Sequence, residues 1–164
     1  MASGDTLCVF TPLHNEPPGS NYATLDFRNV HPVLDFNAAT DESAVFTSVL
    51  PRNYAGGGLT ITLIWAATSA TSGNVVWNGA IERMQDDVTD LDSDSFAAAQ
   101  AVTAGAASAS GEPSYDAITF TDGAQMDSLS VGEAFRLKIT RDANNGSDTM
   151  TGDAELLAVE IKET

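Results

Sequence analysis

The sequence predicts an all-β chain, an antiparallel, jelly-roll-like β-sandwich of about eight to ten strands. Three observations carry this expectation. Residues 58–65 read GLTITLIW, so Leu59, Ile61, Leu63 and Trp65 share one face of an extended strand while Thr60 and Thr62 share the other. That period-two alternation is what a sheet with one buried face requires. The same rhythm returns where Phe135, Leu137 and Ile139 alternate with Arg136, Lys138 and Thr140. Finally, no segment reads as a helix longer than about two turns and no βαβ alternation occurs, so the half-apolar strands must bury their faces against one another.

The elements follow in order. Residues 1–22 read as an N-terminal arm: TPLHNEPPGSN holds three prolines and a glycine, which opposes helix and disfavours a central strand. Only 7–10 suits a short edge strand. The arm is expected to be flexible or to contact a neighbouring subunit, and 23–164 to form the sandwich domain. Strands are expected at 23–28, with Leu25 and Phe27 on one face, at 33–36 after the break at His31-Pro32, and at 44–50 up to Pro51. The glycine-rich turn 53–58 leads into the strand described above. A strand at 74–83 carries Trp77 and Ile81, and an acidic loop spans 86–95. The alanine-rich stretch that follows is assigned a weak strand at 101–106, because Val102, Thr103 and Gly105 interrupt a helix. A strand at 115–121, an irregular edge or short strand at 126–131, and a strand at 134–141 come next. Residues 142–146 (DANNG) form a turn, since Asn and Gly tolerate positive φ. The last strand, 153–161, places Leu157, Val159 and Ile161 on one face.

With 164 residues the chain is most simply one domain, long enough to bury roughly 68–70% of its unfolded surface without disulfides or metals. Phe27, Phe36, Phe46, Trp65, Trp77, Phe120 and Phe135 are the expected heart of the core. A net charge of −16 repels phosphate backbones and anionic lipid headgroups, so neither nucleic acid nor a membrane is an expected partner. Cys8 is the single cysteine, so no intramolecular disulfide forms. The first residues do not resemble a signal peptide, and synthesis and folding in the cytoplasm are expected.

Catalytic equipment is not visible. The histidines, His14 and His31, adjoin no nucleophile motif, and no Gly-x-Ser-x-Gly, His-Glu-x-x-His, paired Cys-x-x-Cys or P-loop occurs; no enzyme is expected. Asp90, Asp92 and Asp94 alternate, so an extended loop would aim three carboxylates one way and offer calcium part of its oxygen shell. The following Gly and distal Glu of an EF-hand are missing, and a solvated acidic loop is the competing reading. Asp142, Asn144, Asn145 and Asp148 form a second group that turn formation explains equally well. Calcium is the only cofactor these residues suggest. Tyr22, Tyr54 and Tyr115, with Trp77 if it faces outward, are the candidates for stacking a sugar.

The segments PRNYAGGGLTITLIWAATSATSGNVVWNGAIERM, DLDSDSF and FRLKITRDANNGSDTMTGDAELLAVEIKET, within 51–96 and 135–164, resemble small virion-associated β-sandwich proteins and domains of tailed bacteriophages. The resemblance implies a structural virion protein, a capsid decoration (cement) subunit that binds the outside of a phage capsid. Its partner would be the major capsid protein and its location the capsid surface. A homo-oligomer is implied, with a trimer favoured by the local three-fold axes of a shell. The alternative is a tail-fibre or receptor/carbohydrate-binding β-sandwich module. One short domain without repeats or heptads favours cement over fibre.

Overall fold

The computed structural model describes residues 4–164. It contains ten strands: β1 (Thr6–Phe10), β2 (Thr24–Arg28), β3 (His31–Phe36), β4 (Glu42–Val49), β5 (Leu59–Ala67), β6 (Asn74–Met84), β7 (Gln100–Gly105), β8 (Ser114–Phe120), β9 (Ala134–Arg141) and β10 (Ala154–Glu163). They form two antiparallel sheets packed as a jelly-roll β-sandwich. One sheet runs β2-β3-β10-β5-β8, with β1 also on β10; the other runs β4-β9-β6-β7. β3 and β1 share one edge of β10 in tandem, β3 along Ala154–Leu156 and β1 opposite Val159–Lys162.

The core lies between the sheets where the alternation places it. Leu59, Ile61, Leu63 and Trp65 of β5 face Phe135, Leu137 and Ile139 of β9 across the sandwich, and all seven are buried. Trp77 belongs to the same core, which corrects the option that it faces outward. Its ring meets Phe36 edge-on at 5.0 Å and Trp65 at 5.9 Å. Gly79, two residues on, is a glycine for a packing reason: a Cβ there would come within 3.1 Å of the Phe120 ring.

Several expectations change, and Phe27, expected in the core, is exposed on β2. Residues 126–131 form no strand; a 3₁₀ turn, Ala124–Met126, is followed by Asp127 and Ser128, both at φ 54°, a left-handed pair that ends any extended run. Leu157 does not share a face with Val159 and Ile161, because a bulge between Leu156 and Ala158 in the pairing with β5 flips it outward. Within the expected arm, Thr6–Phe10 form β1 on β10, where the sequence suited a short edge strand at 7–10. The first three residues of that arm lie outside the described residues. Phe10 is buried and stacks on Phe46 at 5.1 Å. Past a 3₁₀ turn at Pro12–His14, the Asn15 side chain accepts the Val45 N–H at 3.0 Å and the Glu16 N–H donates to the Val45 carbonyl at 2.8 Å. The arm thereby satisfies the open edge of β4, an edge that would otherwise template aggregation.

Candidate functional site: a groove on the outer face of the six-stranded sheet

The outer face of the larger sheet holds a groove of about 290 Å³, near the lower end of the range for small-molecule sites. Its apolar lining comes from Val33 on β3, Ala66 on β5, Pro113 before β8 and Leu157 on β10. Leu157 is there only because of the bulge. The polar part comes from the β2–β3 hairpin and β10: Arg28, Asn29, His31 and Glu155.

These polar groups are held in place. Arg28 Nη1 donates to Glu155 Oε2 at 2.7 Å and to the carbonyls of Ala67 (3.1 Å) and Thr68 (3.3 Å). Glu155 is buried and the arginine half-buried. Gly111, at φ +80°, packs its backbone on the guanidinium; a Cβ would sit 2.6 Å from Nη2. No other residue fits that position without moving the arginine. His31 Nδ1 lies 3.2 Å from the Arg28 carbonyl. A carbonyl only accepts, so Nδ1 carries the hydrogen and Nε2 remains available. The hairpin closes through Asn29 (φ 44°) and Val30 (φ 69°), two left-handed residues as a type I′ turn requires. Val30 is a β-branched residue in that strained region, 88% exposed at the tip of the hairpin.

Tyr115 flanks the groove. It pairs with Ile64 on the outer face, two residues along β5 from Ala66, which places the two Cα atoms roughly 8 Å apart from strand spacing and rise. The residue is 68% exposed. Of the other aromatic candidates, Tyr54 is buried and its hydroxyl donates to the Gly57 carbonyl, so its ring offers no stacking face. Tyr22 is half-exposed and lines a separate groove between the arm and β2.

Asp35 lies on the same outer face, opposite Glu155 on β10 and Thr24 on β2. Its Oδ1 is buried without a hydrogen-bond partner. Desolvation, followed by the charges of Asp153, Glu155, Asp26 and Glu42, pushes its carboxyl from 3.8 up to about 6. The folded state therefore binds this proton more tightly than the unfolded chain does. The destabilisation from ionising Asp35 is absent below about pH 4 and complete above about pH 6. Asp35→Asn is expected to raise Tm at pH 7, with the gain shrinking as the pH falls from 6 to 4. Melting curves of both proteins across that range check it, and an equal gain at pH 4 would assign the effect to another cause.

The remaining sequence candidates are placed elsewhere. The segment with Asp90, Asp92 and Asp94 does not run extended. It turns, with the Ser93 and Asp94 N–H groups donating to the Asp90 carbonyl and the Asp92 N–H to the Asp90 carboxylate. Among the described residues no cluster of three or more His, Cys, Asp or Glu side chains is placed to hold a metal ion. In the second acidic group, Asp148 pairs with buried Arg141, Asp142 accepts from Asn78 and Asn145, and Asn144 donates to Asp41. His14 is spent locally, its Nδ1 accepting the Thr11 N–H at 2.9 Å. Burial pushes the Cys8 thiol up from its ordinary value, against a nucleophilic role. Sequence reasoning singled out Tyr115 but not Arg28, Gly111 or Glu155. Glu155 stands 127 residues from Arg28, and no local signal joins them.

Fold and groove together define a jelly-roll β-sandwich with an open site on one sheet face. No protein-family model and no curated protein sequence matches the chain. Among solved structures it is similar to the CBM22-2 xylan-binding domain of Paenibacillus barcinonensis Xyn10C, at 15% identity over 92% of each chain with a TM-score of 0.52. It is also similar to the carbohydrate-binding module CBM6cm-2 of Cellvibrio mixtus lichenase 5A, at 8% identity over 98% of this chain and 99% of that one, TM-score 0.49. A third similarity is to the infectious bursal disease virus Gx strain structure, at 12% identity over 99% of this chain and 33% of that one, TM-score 0.33. The first of these shows the shared β-sandwich fold.

Proposed function

We propose that this chain is a carbohydrate-binding β-sandwich module and that the sugar lies in the groove beside Tyr115. A pyranose ring presents apolar C–H faces and a rim of hydroxyls, so its site needs an exposed flat ring, an apolar floor and a few fixed polar groups. Tyr115 supplies the ring, and Val33, Ala66 and Leu157 the floor. Asn29, His31 Nε2 and the Glu155 carboxylate supply hydrogen bonds. The observation that carries the reading is the open, largely apolar groove whose polar groups are already held by the Arg28–Glu155 pair, with exposed Tyr115 one strand over from its Ala66 lining. Net charge −16 favours a neutral polysaccharide over a sulfated or uronic one. A xylan-binding domain with the same fold makes xylan the first ligand to try.

The phage-type sequence resemblance supports a virion as the setting, where such a module would meet a host-surface glycan. Capsid decoration is the second reading, favoured by the exposed apolar residues along β2, Leu25 and Phe27. The test is titration calorimetry and affinity electrophoresis against soluble neutral polysaccharides, with wild type and Tyr115→Ala. Saturable wild-type binding that falls at least about tenfold in the variant is expected, the loss of one stacking contact of about 1.4 kcal/mol. Absence of any polysaccharide binding at millimolar concentration, together with a raised melting temperature of decoration-stripped particles on adding the protein, would replace the first reading by the second.

A further inference from the structure

We infer that Arg28 is itself a ligand-binding residue of the groove, and that its free edge grips a vicinal diol, so that the ligand is a neutral polysaccharide with two adjacent unsubstituted ring hydroxyls. The inference rests on the sugar reading proposed above and names the part of the sugar that is recognised. A guanidinium carries five N–H donors on three nitrogens. Every hydrogen bond that holds Arg28 uses one nitrogen, Nη1, which donates to Glu155 Oε2 and to the carbonyls of Ala67 and Thr68. Among the described residues Nε and Nη2 find no acceptor, and neither is shut off from solvent. Their N–H bonds form the edge of the guanidinium that takes two oxygens at once. That edge is fixed before any ligand arrives, because Gly111 packs on the same group with no room for a Cβ. Arg28, Gly111 and Glu155 all line the groove.

Two ligand groups present paired oxygens to such a fork, a carboxylate and a vicinal diol, and charge decides between them. Arg28 already has a counter-ion in Glu155 at 2.7 Å. Asp26, two residues back along β2, and Asp35, opposite Glu155 on β3, stand on the same sheet face. An incoming carboxylate would meet three fixed carboxylates around one cation, whereas a neutral diol escapes that repulsion. The diol also has hydrogens to donate. Glu155 Oε1 accepts no hydrogen bond among the described residues and is not sealed from solvent, so it accepts from one hydroxyl while Nε and Nη2 donate to the two oxygens. A linkage rule follows. In a 1,4-linked pyranose chain O2 and O3 of each unsubstituted residue are free and adjacent. In a 1,3-linked glucan O3 is spent in the linkage, and O2 and O4 are not neighbours. The groove therefore takes the first kind of chain and, away from chain ends, refuses the second.

Titration calorimetry of the full chain with a neutral arabinoxylan and a soluble β-1,3-glucan tests the fork. Wild type is expected to bind the arabinoxylan at least about tenfold more tightly, the difference that hydrogen bonds to a charged donor make. Arg28→Lys keeps a cation for Glu155 but has no planar pair of donors. It should lose about tenfold on the arabinoxylan and nothing on the β-1,3-glucan. Gly111→Ala keeps the arginine but displaces its guanidinium, and should weaken arabinoxylan binding as well; melting curves establish that each variant is folded. Arabinoxylan binding within about twofold of wild type in both variants, with Tyr115→Ala still weakening it, would overturn the fork and leave the sugar reading standing. Equal affinity of wild type for the two polymers would overturn it too. So would tighter binding of polygalacturonate than of arabinoxylan, which would assign the fork to a carboxylate. A wild type that binds no neutral polysaccharide would remove the sugar reading and this inference together.

Discussion

Arg141→Ala is expected to cost the fold about 3–5 kcal/mol, the typical loss when one partner of a buried ion pair is removed. Arg141 is wholly buried at the end of β9. Its Nε and Nη2 fork onto Asp148 at 3.1 and 2.9 Å. Nη1 donates to the Phe36 and Gly152 carbonyls and Nη2 to that of Met150. The guanidinium therefore ties the smaller sheet to β3 of the larger one and to the loop before β10. Without it Asp148, itself almost fully buried, keeps the Val76 N–H (3.1 Å) but loses its counter-charge, and three carbonyls lose a donor. With a typical domain stable by about 5–15 kcal/mol, the variant should be largely unfolded in modest urea. Arg141→Lys should recover only part of the loss, because an ammonium cannot reproduce the planar fork. Urea unfolding followed by β-sheet circular dichroism measures both; a loss under about 1 kcal/mol for the alanine variant would show that the pair is structurally idle.

Trp77→Ala should be about as damaging, about 3–5 kcal/mol, through the cavity left where Trp65 and Phe36 now meet the ring. Trp77→Phe should be much milder. The Trp77 Nε1 hydrogen is buried without a partner, a penalty of about 1–3 kcal/mol, and phenylalanine removes it while keeping most of the packing. The same denaturant titration compares the two, and equal losses would mean that a phenyl ring recovers none of the packing against Phe36 and Trp65.

The reach of the sequence can be traced through these residues. The strands around Leu59–Trp65 and Phe135–Ile139 were legible because side-chain alternation is local and both faces show in the residue types. Trp77 was ambiguous from a single aromatic, and only its packing between Phe36 and Trp65 places it. Asp90, Asp92 and Asp94 would align only in an extended segment, and the backbone instead turns onto the Asp90 carbonyl. For the groove, Tyr115 could be named in advance, whereas Arg28, Gly111 and Glu155 meet through strand pairings and a loop that no short window contains.

The sequence by itself determined that this protein is a β-sandwich, roughly where its strands run, which face of most of them is buried, and that its surface is acidic. Those properties follow from residue type and a period of two, both readable one segment at a time. Tertiary structure alone decided the order of strands in each sheet, the folding of the arm onto β4 and β10, and the bulge that turns Leu157 from core to groove. Each depends on pairing between distant segments, and a shift of one residue in such pairing exchanges the two faces of a strand.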